Sequence, residues 1–148
     1  MTRSRNAPDY EDDFVAWLED QVGRARRGEV EGLDLENIAE ELEGMARGDR
    51  REIRTRLTML LVHLLKYAAQ PRRRSSSWLA TIGEQRTQIT IVIDDSPSLR
   101  SFPAAVLGQC YAEARSRAAL GTRLPESAFP EHCPFELSLS LGSGWLPS

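Results

Sequence analysis

Apolar residues recur every three to four positions through most of the chain, and this spacing places them on one face of an α-helix. Such stripes predict five main helices, over residues 9–27, 34–46, 50–70, 75–93 and 102–121. The third stripe is the clearest, because Leu57, Leu61 and Leu64 repeat at i, i+4 and i+7. Apolar residues also lie on the flanks of this helix, which is typical of a helix at the centre of a helical protein.

Two stretches allow more than one interpretation. Gly48 and Asp49 either separate the second and third helices or lie inside one continuous helix, because an internal glycine costs only about 1 kcal/mol relative to alanine. Residues 87–93 are rich in β-branched side chains, which favour strands. No other segment resembles a partner strand, so we interpret these residues as helix.

Prolines interrupt the end of the chain. They predict a tail over residues 122–148 that wraps the helices and ends in a short helix from Pro134. The expected apolar anchors of this tail are Phe129, Phe135, Leu137 and Trp145. Residues 1–8 are polar and unpatterned, and we expect a loose lead-in there. The whole pattern predicts an all-α, single-domain helical bundle over residues 1–148.

Length and cysteine content narrow the class of protein. A chain of 148 residues can bury a core of its own. Its two cysteines, Cys110 and Cys133, form no C-x-x-C pair and no signal peptide precedes them, which is typical of reduced thiols in a cytoplasmic protein. No apolar run approaches the ~20 residues of a membrane span, because His63 and Lys66 interrupt the longest one. We therefore expect a cytoplasmic protein without a membrane partner.

Charged residues are unevenly distributed. Up to Ala46 there are 13 acidic residues and 5 arginines, whereas from Arg47 to Arg86 there are 10 basic and 3 acidic residues. Oppositely charged helices packed side by side within one domain explain this segregation most simply. The other interpretation is a basic face for phosphate or nucleic acid, which requires uncompensated positive charge on one surface.

Several polar residues occupy positions at which packing alone favours apolar ones. Gln85 and Arg86 share the apolar face of the fourth helix, and His63 and Lys66 lie opposite the leucine stripe of the third. Together they suggest a candidate cleft between helices two, three and four. Its predicted lining is Asn37, Glu41, His63, Lys66, Gln85 and Arg86, with Tyr67 and Trp78 as walls.

Two interpretations of the candidate cleft remain open. A buried cation needs a partner, since an unpaired charge in a low dielectric is costly. In the first interpretation Glu41 pairs with Arg86 in an interior salt bridge that fixes the register of the helices. In the second, Lys66 and Arg86 bind an anion, and His63 or Glu41 acts as an acid or base.

The turn formed by Arg72, Arg73 and Arg74 precedes three serines at a helix start. Guanidinium groups, backbone N–H groups and the helix dipole coincide there, so the turn is a candidate phosphate site. The alternative is a solvated turn. Nucleic-acid binding has less support, because the net charge is −3 and no aromatic residues alternate with the basic ones.

The sequence predicts no metal site and no cofactor. Helical bundles hold pairs of metal ions with Glu-x-x-His motifs, and none occurs here. Cys110, His132 and Cys133 lack the spacing and the fourth ligand of a zinc site. The sequence also contains no nucleophile motif, glycine-rich phosphate loop or dinucleotide fingerprint.

Five motifs follow one another in a distinctive order along the chain: Tyr10–Leu18, Leu33–Glu43, His63–Tyr67, Arg74–Trp78 and Ser96–Leu99. Together they resemble the bacterial "domain of unknown function 29" family over about Tyr10 to Pro134. The resemblance implies a compact, mainly helical protein. It implies no catalytic residues, because the family has no established activity.

These observations favour a small interaction or regulatory module without catalytic activity and with a protein partner of unknown identity. An enzyme or small-anion binding protein that uses the candidate cleft is the alternative. A weaker alternative is nucleic-acid binding through the Arg72–Arg74 turn. The sequence leaves self-association open.

Overall fold

Helices account for the regular structure of residues 7–148, which a computed structural model describes. The five α-helices are α1 (Phe14–Arg26), α2 (Leu35–Ala69), α3 (Ser76–Asp95), α4 (Phe102–Thr122) and α5 (Leu137–Leu141). Short 3-10 turns occur at Val30–Gly32, Pro71–Arg73, Pro97–Leu99 and Glu126–Ala128. No strand occurs in the part of the chain described, and the predicted all-α class is confirmed. Of the expected lead-in over residues 1–8, residues 1–6 lie outside the described range.

The boundaries of the helices follow local chemistry. The side chain of Asp13 accepts a hydrogen bond from the backbone N–H of Ala16 and caps α1. The predicted start of this helix at residue 9 is therefore too early, because Asp9 begins a turn in which its carbonyl accepts a hydrogen bond from the N–H of Asp13. Ser75 caps α3 in the same way, through the N–H of Trp78.

The ambiguous stretch around Gly48 lies inside α2, which runs without interruption from Leu35 to Ala69. A glycine in a helix interior costs about 1 kcal/mol. That penalty does not break a helix of 35 residues, because the strongly packed leucine stripe follows directly. The predicted second and third helices are therefore one element, so the five predicted main helices correspond to α1 to α4, and α5 corresponds to the short helix predicted in the tail.

The contacts divide the chain into two compact units, one ending at Arg47 and the other beginning at Gly48. In the first unit, the rings of Tyr10, Phe14 and Trp17 pack together, with centroids 4.8 to 5.9 Å apart. Trp17 is 2% exposed. The single domain that the sequence predicts over residues 1–148 stays a prediction.

The second unit contains the main hydrophobic core. The leucine stripe of α2 supplies its centre, and Ile82, Ile89 and Ala114 are among the side chains of α3 and α4 that pack there. Because Leu57, Leu61 and Leu64 are completely buried, the stripe that dominates the sequence also dominates the packing.

The tail packs on this core through the anchors that the sequence predicts. Phe129 is buried in the core, and the partly buried Phe135, Leu137 and Trp145 contact it. The hydroxyl of Tyr111 also donates to the carbonyl of Pro130. These contacts order a segment whose only α-helix in the described residues is the five-residue α5.

None of the helices described over residues 7–148 combines the length and the hydropathy of a membrane span.

Candidate functional site

His63 and Lys66 lie on the polar side of α2, and both are half-buried. The Nδ1 atom of His63 is 3.0 Å from the carbonyl oxygen of Met59. Because a carbonyl oxygen only accepts, Nδ1 of His63 is the donor of this hydrogen bond. The Lys66 ammonium lies 5.7 Å from the centre of the Trp78 ring, a cation–π distance. A Cβ atom at Gly121 would lie 3.0 Å from the Cε of Lys66, so this glycine leaves room for the lysine.

Arg74 and Tyr67 form a joint between α2 and α3. The Nε of Arg74 donates to the carbonyl of Tyr67 at 2.8 Å, and its guanidinium lies 4.0 Å from the centre of the Tyr67 ring. The arginine thereby satisfies one of the carbonyls that the end of a helix leaves without a partner. In the predicted phosphate turn, Arg72 and Arg73 are exposed. Arg74 instead donates its hydrogen bond to the C-terminal end of α2.

Arg86 is buried and holds the C-terminal tail. Its Nε donates to the carbonyl of Ser140 at 2.8 Å, and its Nη2 donates to the carbonyl of Trp145 at 2.6 Å. Its hydrogen bonds thus go to carbonyl oxygens rather than to the carboxylate that the sequence led us to expect. Among residues 7–148, no ion pair includes Arg86. Burial without a carboxylate lowers the pKa of Arg86.

Gln85, next to Arg86, is also buried. Its side-chain oxygen accepts a hydrogen bond from the guanidinium of Arg56 at 3.4 Å. The two polar residues on the apolar face of α3 are therefore satisfied by different elements, one by α2 and one by the tail.

The remaining two residues of the predicted cleft, Asn37 and Glu41, belong to the first unit. The amide of Asn37 donates to the carboxylate of Asp34 at 2.8 Å. Glu41 accepts a hydrogen bond from the hydroxyl of Tyr10. Asp34 also accepts from the indole N–H of Trp17 at 3.2 Å, so these polar groups tie the start of α2 to α1.

The pKa of Tyr10 provides a test of its hydrogen bond to Glu41. The hydrogen bond to Glu41, aided by desolvation and by the negative charge of that carboxylate, raises the pKa of Tyr10 from 10.0 to about 12. Since the folded state holds this proton more tightly than the unfolded chain, the bond stabilises the fold fully below pH 10 and loses its effect as the pH rises to about 12. We expect the stability difference between the wild type and Tyr10→Phe to disappear across that interval, as measured by urea unfolding.

The titration of the Tyr10 hydroxyl can also be measured directly. The phenolate absorbance of Tyr10, obtained as the difference between the wild type and Tyr10→Phe, should titrate near pH 12. In Glu41→Gln the titration should return towards pH 10, because the carboxylate is gone. A Tyr10 titration that Glu41→Gln leaves unchanged would contradict the assignment.

A polar groove of about 220 Å³ lies in the second unit, and sequence reasoning missed it. It is lined by Arg51, Arg54, Thr55 and Thr58 of α2 and by Gln109, Cys110, Glu113 and Arg117 of α4. The signal was present as the i, i+3, i+4, i+7 spacing of the four α2 residues, which places them on one helical face. We call this feature the arginine groove.

Metal chemistry has no support from the side chains described. Over residues 7–148, no group of three His, Cys, Asp or Glu side chains lies close enough to hold a metal ion. Cys110 and Cys133 are both free thiols. Burial raises the pKa of each thiol and keeps it protonated.

The helices described above define a class, that of small, mainly helical proteins. Within that class, the chain belongs to the DUF29 family, described as "Domain of unknown function DUF29", whose model matches residues 10–146. No curated protein and no solved structure matches the chain.

Proposed function

We propose that this protein is a non-enzymatic interaction module whose first unit binds a basic, amphipathic helical segment of another protein. The observation that carries the proposal is the apolar surface that the first unit leaves exposed. On α1 it consists of Phe14, Val15, Leu18 and Val22, and on α2 of Leu35, Leu42 and Met45. We call these residues the exposed stripes.

The exposed stripes follow helical spacing. On α1, Phe14, Leu18 and Val22 repeat every four residues and therefore lie on one side of the helix. Single exposed apolar residues are ordinary on protein surfaces. Here, however, Val15, Leu42 and Met45 are 63%, 61% and 69% exposed on two helices of the same unit. Amphipathic helices are stabilised by burying such stripes, so their exposure supports a partner.

The helical residues of the first unit include few buried side chains. Trp17 and Gln21 are the buried residues of α1, and α2 has no buried residue before Ile53. A helix that buries two side chains gains little from the hydrophobic effect, which is roughly proportional to the apolar area removed from water. A partner that covers the stripes would supply the missing burial.

Charge indicates the chemistry of the partner. Residues 7–47 contain 13 acidic residues and four arginines. Three of those arginines already pair locally, Arg24 with Asp20 and Glu29, Arg27 with Glu29, and Arg47 with Glu40 and Glu43. Within the described residues the exposed Glu19, Glu31 and Glu36 form no ion pair. A unit that combines exposed apolar stripes with an excess of acidic residues complements a helix that combines apolar and basic faces.

We infer a bacterial cytoplasmic setting for this interaction. The two free thiols, Cys110 and Cys133, support a reducing compartment, since disulfides form mainly in oxidising ones. The family resemblance supports the bacterial source.

A fluorescent helical peptide of leucine and lysine, with its lysines on one face, is a direct probe of the proposal. We expect it to bind the wild-type protein in an anisotropy titration, and we expect Val15→Gln combined with Leu42→Gln to weaken that binding by about tenfold or more. Both positions are exposed, so circular dichroism and unfolding should match the wild type. Ile91→Gln is the matched control, since Ile91 is 48% exposed but lies on α3 in the other unit.

Three outcomes would overturn the proposal. One is equal binding of the same peptide with glutamate in place of lysine. Another is binding that Val15→Gln and Leu42→Gln leave unchanged. The third is a dimer, measured by light scattering, that the same two substitutions dissociate, because a second copy of the chain would then be the occupant of the stripes.

A further inference from the structure

The arginine groove has an excess of positive charge, because two of its arginines form no ion pair among the described residues. Three arginines and one glutamate line it. Arg117 is paired with Glu113, one turn away on α4. In the part of the chain described, neither Arg51 nor Arg54 takes part in an ion pair. The groove therefore has two guanidinium groups without a compensating carboxylate.

The aromatic neighbour of Arg54 leaves its donors available. The guanidinium carbon lies 5.8 Å from the centre of the Phe102 ring. A cation–π contact is not a hydrogen bond, and the side chain of Arg54 has no hydrogen bond within residues 7–148, so its N–H donors remain available to a ligand. Phe102 thus contacts the guanidinium of Arg54 at the groove but accepts no hydrogen bond from its N–H groups.

The floor of the groove is polar but uncharged. Thr58 and Cys110 are each 3% exposed. The thiol of Cys110 donates to the carbonyl of Arg54 at 3.6 Å. Burial raises the pKa of Cys110, so this thiol stays neutral and does not repel an anion.

The rim offers further hydrogen-bonding groups. Thr55 and Gln109 line the groove with exposed side chains, and neither side chain has a hydrogen bond within residues 7–148. A hydroxyl and an amide can both donate to an oxyanion. Cations, neutral donors and a neutral floor are thus present on two facing helices.

We propose that the arginine groove binds the phosphate group of a small phosphate monoester, with Arg51 and Arg54 as its principal ligands. Guanidinium groups match phosphate because they offer parallel N–H donors to two of its oxygens. The volume of about 220 Å³ lies below the 300 to 1,000 Å³ or so that is typical of pockets for drug-sized ligands. The groove therefore accommodates a phosphate with a body of a few carbon atoms.

Calorimetric titration with glycerol phosphate, with glycerol as the uncharged control, tests this inference on the full-length protein. We expect binding of glycerol phosphate at low sodium chloride that weakens as the salt concentration rises. Arg51→Gln combined with Arg54→Gln should reduce the affinity by about tenfold or more, because each substitution removes charged hydrogen bonds. Both arginines are exposed, so the variant should fold like the wild type.

Two further variants make the test specific. Arg100→Gln removes an exposed arginine elsewhere in the second unit and should leave the affinity unchanged. Arg72→Gln with Arg73→Gln removes the same charge as the groove variant, but from the turn before α3. Loss of binding in the turn variant and not in the groove variant would overturn the inference, as would equal heats with sodium acetate or no binding at low salt.

Discussion

Substitution of Arg86 by methionine should lower the free energy of unfolding by about 2 kcal/mol, because two hydrogen bonds from a charged donor disappear. Methionine keeps much of the apolar stem, so the change isolates the loss of the bonds to the carbonyls of Ser140 and Trp145. Relief of the buried charge offsets part of that loss. Urea unfolding measures the difference, and hydrogen exchange should rise most in residues 137–146.

Arg100→Met is the matched control, because Arg100 is exposed and its side chain has no hydrogen bond or ion pair within the described residues. Its stability should remain within about 0.5 kcal/mol of the wild type. Arg86→Lys should also lower the free energy of unfolding, but by less than Arg86→Met does. An ammonium group lacks the planar arrangement of N–H donors with which the guanidinium reaches two carbonyls at once. Equal stability of Arg86→Met and the wild type would contradict the role of Arg86 in holding the tail.

Leu64→Ala should cost about 3 to 5 kcal/mol of unfolding free energy, because it removes a fully buried side chain and leaves a cavity in the core of the second unit. Leu42→Ala provides the matched comparison on the same helix. Leu42 is 61% exposed, so we expect its loss to change the stability by no more than about 0.5 kcal/mol. Both values come from chemical unfolding.

This pair of substitutions separates the two kinds of leucine on α2. A large cost of Leu42→Ala in the isolated protein would mean that the exposed stripes stabilise the fold, which would weaken the argument for a partner. A small cost of Leu64→Ala would contradict the central position of the leucine stripe.

Much of the fold could be predicted from local patterns. The stripe of Leu57, Leu61 and Leu64 correctly indicated the central helix, because helical periodicity and burial are both written in the order of residues. The β-branched end of α3 is helical as expected, since no partner strand occurs among residues 7–148. The start of α1 was placed too early, because Asp9 and Asp13 have equal capping chemistry and only the backbone geometry distinguishes them.

The candidate site was less accessible to sequence reasoning. The sequence identified Gln85 and Arg86 as polar residues on an apolar face, and both are buried. Their partners are a side chain of α2 and two main-chain carbonyls of the tail. Every residue has a backbone carbonyl, so the sequence does not show which carbonyl accepts a hydrogen bond from Arg86. Residue types alone could therefore suggest only a carboxylate as the partner of Arg86.

The arginine groove could not be predicted from the sequence either. Arg51, Arg54 and Arg117 are unremarkable in a chain with 18 arginines. Their significance depends on which of them pairs with a carboxylate and which helices line the same space. Neither property follows from the spacing within one helix.

The sequence by itself therefore determined the helical class, most of the helices, the core stripe and the positions of the polar exceptions, because these depend on periodicity, capping and turn chemistry within a few residues. The tertiary structure decided the partner of Arg86, the continuity of α2 through Gly48, the exposure of Leu42 and Met45, and the existence of the arginine groove. These properties depend on free-energy differences between elements far apart in the chain. Packing selects among such alternatives, and local residue patterns do not distinguish them.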